Sequence, residues 1–327
     1  MHRSKAAVAA ALLTVMALLP LAVAPVAAGE SKDKAKAEHE RIVKYWTAER
    51  IAGAKPRDFV RTNEGKFVPK AKPGGGTGAS WTGGGPVVQR TGKVLFTMDG
   101  GNWVCSASAI TDGRGTHSLI LTAGHCAYDE VNKQFATNWT YVPSYDTAPT
   151  FSCGQNTYGC WTATAASGGG LVVHSGYANA GGFNTQATVH DFAIAIVAAG
   201  TRGTQLDALG TYGIAYPAIS TGGIVHAFGY PAAGRYKGND LTYCTGPTFN
   251  DQYNGNGTQT WGIKCNMTGG SSGGPWLAGF TNAAGTATSL NSYGYSGLSN
   301  MYGPKFNTKT QAVFNRANTS TGNSIVN

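Results

Sequence analysis

Residues 91–327 of this 327-residue chain are predicted to form an all-β domain, and three features carry that prediction. The stretch holds only ten basic and nine acidic side chains, too few for long salt-bridged helices. Gly, Ser, Thr and Asn abound there instead. Its apolar residues fall in short runs closed by turn signals, as where Asp99-Gly100-Gly101-Asn102 follows an apolar run. Such punctuation indicates a β-barrel or sandwich architecture, with enough chain for one sizeable domain or two small barrels sharing an interface.

The elements follow in order. Residues 93–98 read as a strand, turned by 99–102, and residues 103–110 as the next. Residues 117–122 return after a second Gly-rich turn. Residues 191–197 are nearly continuously apolar, as a strand buried on both faces is, and 223–230 form another. Residues 310–318 are the best short helix, with Val313 and Phe314 as its apolar side.

The N-terminal ninety residues are different. Residues 1–28 have a charged start (Arg3, Lys5), an apolar run from Ala6 to Leu21, and the small residues Val26-Ala27-Ala28 before Gly29. This pattern is that of a secretory signal peptide; Pro20 and Pro25 interrupt the run and leave it short for a membrane span. Residues 29–90 carry thirteen basic and seven acidic residues. Residues 31–50 are predicted to be helical, with Ile42, Val43, Tyr45 and Trp46 apolar. Two glycine clusters, residues 74–78 and 83–85, read as exposed, protease-sensitive linkers. Residues 29–90 are thus expected to be a pro-segment and linker, with the mature start between about 72 and 91. The formal charge of +9 divides into +2 for residues 1–28, +6 for 29–90 and +1 for 91–327. The large domain lacks the basic stripe that nucleic-acid binding requires.

All six cysteines follow residue 100. In an exported chain they are disulfide partners, and sequence proximity favours Cys105–Cys126, Cys153–Cys160 and Cys244–Cys265 among the 15 possible pairings. No ligand spacing suggests a metal site.

Three short motifs carry the chemistry: Leu121-Thr122-Ala123-Gly124-His125-Cys126, His190-Asp191-Phe192-Ala193 and Gly269-Gly270-Ser271-Ser272-Gly273-Gly274-Pro275. A serine hydroxyl is a poor nucleophile until a base removes its proton. Imidazole can do so near neutral pH, and a carboxylate on its other nitrogen fixes the tautomer and stabilises the imidazolium. Two backbone N–H groups must meet the developing oxyanion; Gly270 and Ser272 are in position to donate them.

With these motifs in the order His, Asp, Ser, residues 91–315 resemble the chymotrypsin-like (trypsin-fold) serine peptidases, most of all secreted bacterial members near the glutamyl-endopeptidase branch. The resemblance implies two six-stranded antiparallel Greek-key β-barrels with a short C-terminal helix. It makes His125 the general base, Asp191 its orienting carboxylate and Ser272 the nucleophile. It likens Cys105–Cys126 to the disulfide that pins the histidine loop, and Ser292-Tyr293-Gly294 to the strand that pairs with substrate backbone. Asn266 falls at the base of the specificity pocket and Thr268, Gly269 and Ser292 to Gly294 at its walls. Many pancreatic-type relatives have Asp before the nucleophile, to pair with a new N-terminal ammonium; here that residue is Ser271. The glutamate-specific branch has His where this chain has Asn291. The pocket is therefore expected to be polar and neutral, with no carboxylate to pair with Arg or Lys. The function implied is a secreted, monomeric serine endopeptidase acting on protein and peptide substrates through an acyl-enzyme. It needs no cofactor or metal, and it touches neither nucleic acid nor, once the signal is removed, membrane. An inactive protease-fold binding protein and an acyl hydrolase using the same site are the alternatives.

Overall fold

A computed structural model describes residues 26–69, 78–145, 153–217, 219–255, 258–282 and 284–327. Most of the expected signal segment and the first glycine cluster lie outside the described residues.

Six antiparallel strands curl into the first barrel, in the order Thr137–Pro143, Thr91–Met98, Gly101–Ile110, Ser118–Thr122, Ala193–Val197 and Gly170–His174. The second is built from Ile224–Gly229, Thr242–Pro247, Thr260–Lys264, Pro275–Thr281, Ala284–Leu290 and Asn300–Pro304. The strands expected from sequence are present, shifted at their ends by one or two residues, where ladder pairing rather than apolar content sets the limit. The exception of interest is Asp191-Phe192, which precedes the strand Ala193–Val197 and lies outside its ladder. That leaves the carboxylate at the strand's mouth.

Val94, Phe96, Leu119, Leu121, Ile194 and Ile196 fill the first barrel, and this core runs on into the second through Phe228, Leu277 and Leu290, where Val225, Ile263, Trp276 and Met301 form a separate cluster. The disulfides are Cys105–Cys126, Cys153–Cys160 and Cys244–Cys265. The C-terminal helix, Thr308–Ala317, starts at a capping box on Asn307 and buries Val313 against the first barrel.

Upstream, the helix Val26–Tyr45 is longer and earlier than the predicted 31–50. It stops at Trp46 because Thr47 caps a new helix, Ala48–Gly53, through Arg50 N–H. Ile42 and Trp46 are buried, and Trp46 Nε1 donates to Asn138 O at 2.8 Å, so this segment is docked on the first barrel. The second glycine cluster is exposed, yet Ala79–Ser80 just before it pairs with Thr242–Tyr243 as an edge strand, and Trp81 N–H donates to Leu241 O. Linker composition hides this pairing because an edge strand spends only backbone bonds, which any residue but Pro supplies. Among the described residues, no helix is long and apolar enough to cross a membrane.

Candidate active site

The three motifs converge where the barrels meet. His125 sits in the short 3-10 turn Gly124–Cys126 directly after the strand Ser118–Thr122, tied to Gly101–Ile110 by the Cys105–Cys126 disulfide. Its backbone N–H donates to Asp191 Oδ1 at 2.9 Å and its Nδ1 lies 2.8 Å from Asp191 Oδ2. Both side chains are fully buried. With the carboxylate on Nδ1, the tautomer that leaves Nε2 as the acceptor is favoured. Among the described residues Nε2 has no hydrogen-bond partner.

Ser272 heads the tight turn between the barrels. Gly270 (φ +97°) and Gly273 (φ +83°) adopt backbone that only glycine takes easily. A Cβ on Gly273 would lie 2.3 Å from Thr122 Oγ1 and 2.8 Å from Ala123 N, so the Ser272 turn abuts the histidine motif. Ser106, next to Cys105, binds the turn twice: its N–H donates to Ser272 O at 2.7 Å and its Oγ to Gly270 O at 2.8 Å.

The expected oxyanion donors are aimed by what their neighbouring carbonyls accept. In a trans peptide, C=O and N–H point opposite ways. Gly269 O accepts Ala232 N–H at 2.7 Å, which turns Gly270 N–H away from that loop. Ser271 O accepts Asn291 Nδ2 at 3.0 Å and Gly274 N–H at 3.0 Å, which turns Ser272 N–H away from both.

Sequence reasoning missed two of these partners. Ser292 was expected to touch substrate; its Oγ donates to Asp191 Oδ2, the oxygen that also faces His125 Nδ1. Asn291 is fully buried and spends its whole amide, Nδ2 on Phe228 O and Ser271 O and Oδ1 on Trp276 Nε1. A polar pair just before the strand Tyr293–Tyr295 is the only local signal for either.

The expected pocket residues scatter more. Asn266 is buried, its Oδ1 accepting Gly78 N–H at 2.8 Å and Tyr236 OH at 3.1 Å. Thr268 Oγ1 exchanges hydrogen bonds with both the N–H and the carbonyl of Ala233. Tyr293 is buried, and its hydroxyl donates to Asp251 Oδ2, as does Tyr295 OH at 2.8 Å. Burial, then the nearby Asp251 charge, hold the Tyr293 phenol well above its ordinary range. Asp251 thus props the strand Tyr293–Tyr295 from beneath. Gly269 and Gly294 face residues from far upstream, Pro56, Asp58 and Val60. Cys105, His125 and Cys126 lie close enough to hold a metal, but both sulfurs are spent in the disulfide.

Solved structures give the family. Protease Anisep from Arthrobacter nicotinovorans is 36% identical, with 74% of this chain and 100% of that one covered and a TM-score of 0.62. The thermostable serine protease AL20 from an extremophilic microorganism is 35% identical, covering 72% and 99%, with a TM-score of 0.60. A Glu endopeptidase solved with MPD shares the fold at 20% identity, covering 75% and 98%, with a TM-score of 0.54. No family model and no curated protein matches. A buried His–Asp pair set against a glycine-turned serine, in a double barrel over a third identical to a solved protease, leads to one conclusion: the chain belongs to the chymotrypsin-fold serine proteases.

Proposed function

We propose that this is a secreted serine endopeptidase in which Ser272 is the nucleophile, His125 the general base and Asp191 its orienting carboxylate. Ser272 Oγ attacks the scissile carbonyl carbon while His125 Nε2 takes its proton. The carbonyl oxygen, now negative, is met by the N–H groups of Gly270 and Ser272. His125 returns the proton to the leaving amine, the C–N bond breaks, and an acyl-enzyme remains. Water, deprotonated by His125, repeats the sequence and releases the acid. Substrate backbone before the scissile bond pairs with residues 292–294. No step calls for a metal or cofactor. Export is supported by the signal-like residues 1–28 and by three disulfides in a chain with no free cysteine among the described residues.

The observation that carries the proposal is the 2.8 Å contact of His125 Nδ1 with a carboxylate buried to the same degree, in a histidine motif that the Ser272 turn abuts. An organophosphonate should modify Ser272 in protein freed of residues upstream of the catalytic domain, and casein hydrolysis should stop. Ser272→Ala should abolish both. Freed wild-type protein that neither labels nor cleaves would favour the inactive binding protein instead.

A further inference from the structure

We infer that residues 55–69 are a built-in inhibitor that fills the active-site cleft backwards. The inference rests on the proposed protease reading of the site. Lys55–Pro56 pairs in parallel with Trp103–Val104 on one side of Ser272. Phe59–Arg61 pairs in parallel with Tyr293–Tyr295 on the other, and Ser296 N–H donates to Arg61 O at 3.0 Å. Between them, Asp58 is buried and its Oδ1 lies 3.4 Å from Ser272 Oγ. The segment therefore spans the cleft from end to end.

Its fit is close. An ideal Cβ on Gly269 would fall 2.8 Å from Pro56 Cβ and 2.9 Å from Asp58 Cβ. Phe59 stacks on Phe183 with ring centroids 4.1 Å apart and meets the His125 ring edge-on at 5.5 Å. Phe67 returns antiparallel to Phe59–Arg61 and packs on Phe183 and Tyr293. Arg57 hydrogen-bonds His125 O and lies 3.6 Å from the buried Glu130 carboxylate, which Tyr177 OH also binds.

The direction explains why the segment inhibits and is not cut. On the proposed reading, a substrate lays residues that precede its scissile bond along residues 292–294. Here the residues that follow Asp58 lie there, so the chain runs the other way. What reaches Ser272 Oγ is a side-chain carboxylate, which has no leaving amine and whose carbon is a poor electrophile. The Ser272 hydroxyl is meanwhile held on Asp58 Oδ1 and not on His125.

A tethered segment acts at an effective concentration of roughly millimolar. A free peptide binding at about 10 μM would then correspond to an intact cleft closed about a hundredfold. The test compares the secreted chain with the same folded protein after limited proteolysis between residues 69 and 78 and removal of the released fragment. Organophosphonate labelling and peptide hydrolysis should be at least about tenfold faster in the cut protein. A synthetic peptide of residues 54–69, added back, should bind the cut protein by calorimetry, inhibit competitively and stay intact. A peptide with Asp58→Ala and Phe59→Ala should bind at least about tenfold more weakly, which needs no refolding of any variant. Equal rates before and after the cut would overturn the inhibition, with the protease reading intact. Cleavage of the added peptide, or no binding, would overturn the backward mode. A cut protein that binds the peptide but neither labels nor cleaves upholds cleft occupancy and refutes the protease reading alone.

Discussion

Asn291 Nδ2 donates to Ser271 O at 3.0 Å, and through that carbonyl it fixes the direction of the Ser272 amide hydrogen. The same amide group binds Phe228 O at 2.8 Å and accepts Trp276 Nε1 at 2.8 Å, so it cannot rotate. It is a positioning residue: it touches no substrate yet aims one of the two proposed oxyanion donors. Asn291→Ala should lower kcat by about tenfold with KM nearly unchanged, since an oxyanion donor acts in the transition state. It should also cost about 2 kcal/mol of stability by orphaning buried polar groups. Steady-state kinetics on the activated protein decide the matter: a rise in KM at constant kcat would refute the aiming role. Asn291→His, by the same contacts, should lose stability and gain no preference for glutamate in a peptide-library profile.

Ser292 supplies the second prediction. Its hydroxyl is one of two groups on Asp191 Oδ2, the other being His125 Nδ1, and all three side chains are buried. Hydrogen bonds to a buried charge contribute about 1.5–3 kcal/mol. Ser292→Ala should lower kcat/KM by about tenfold or more, and Ser292→Thr should restore part of the loss. An alanine variant with wild-type kcat/KM would show that the carboxylate does not depend on this donor.

How much of this was legible beforehand follows from the range of each interaction. His125 and Ser272 stand out because each sits in a glycine-bearing local motif, and Asp191 because it directly precedes an apolar strand. The strands and the C-terminal helix were legible from short apolar runs and turn residues. Asp58 was not, since its contact with Ser272 joins residues 214 apart in sequence and is made by backbone pairing on either side, which leaves no mark in composition. The same holds for Ala79–Ser80, which reads as linker yet closes an edge of the second barrel. Ser292 lies just before the strand Tyr293–Tyr295, and that its hydroxyl faces Asp191 is not legible, because sequence does not say what lies across from a given side chain.

Activation is expected to dispense with a buried N-terminal ion pair. Ser271, uncharged and buried, is satisfied locally: its Oγ donates to Thr268 O at 2.8 Å. A buried ammonium beside it would lack a counter-charge and cost several kcal/mol. Acetylating the mature N-terminus, or replacing its first residue, should leave turnover within about twofold of the unmodified enzyme. A collapse of activity on acetylation would show that the ammonium has a partner after all.

Lys93 gives the protein a predicted alkaline signature. Its ammonium is buried in the barrel interface, donating to Gly238 O at 3.0 Å and lying 4.2 Å from the centre of the Tyr145 ring. Burial lowers its pKa from 10.5 to about 8. The folded state thus releases this proton before the unfolded chain does. Between pH 8 and 10.5 the unfolded state binds more protons, so this group's contribution to stability rises with pH across that window. Below pH 8 both states are charged and the full cost, roughly 3 kcal/mol, is present. Buried tyrosines push the other way above pH 10, since their raised pKa values favour protons in the fold. The comparison must therefore be with Lys93→Met, which keeps the apolar stem and those tyrosines. Denaturant unfolding at pH 7.5 and 9.5 should show wild type gaining on Lys93→Met by roughly 2 kcal/mol. A difference between the two proteins that does not move with pH would mean the lysine keeps its ordinary affinity for the proton.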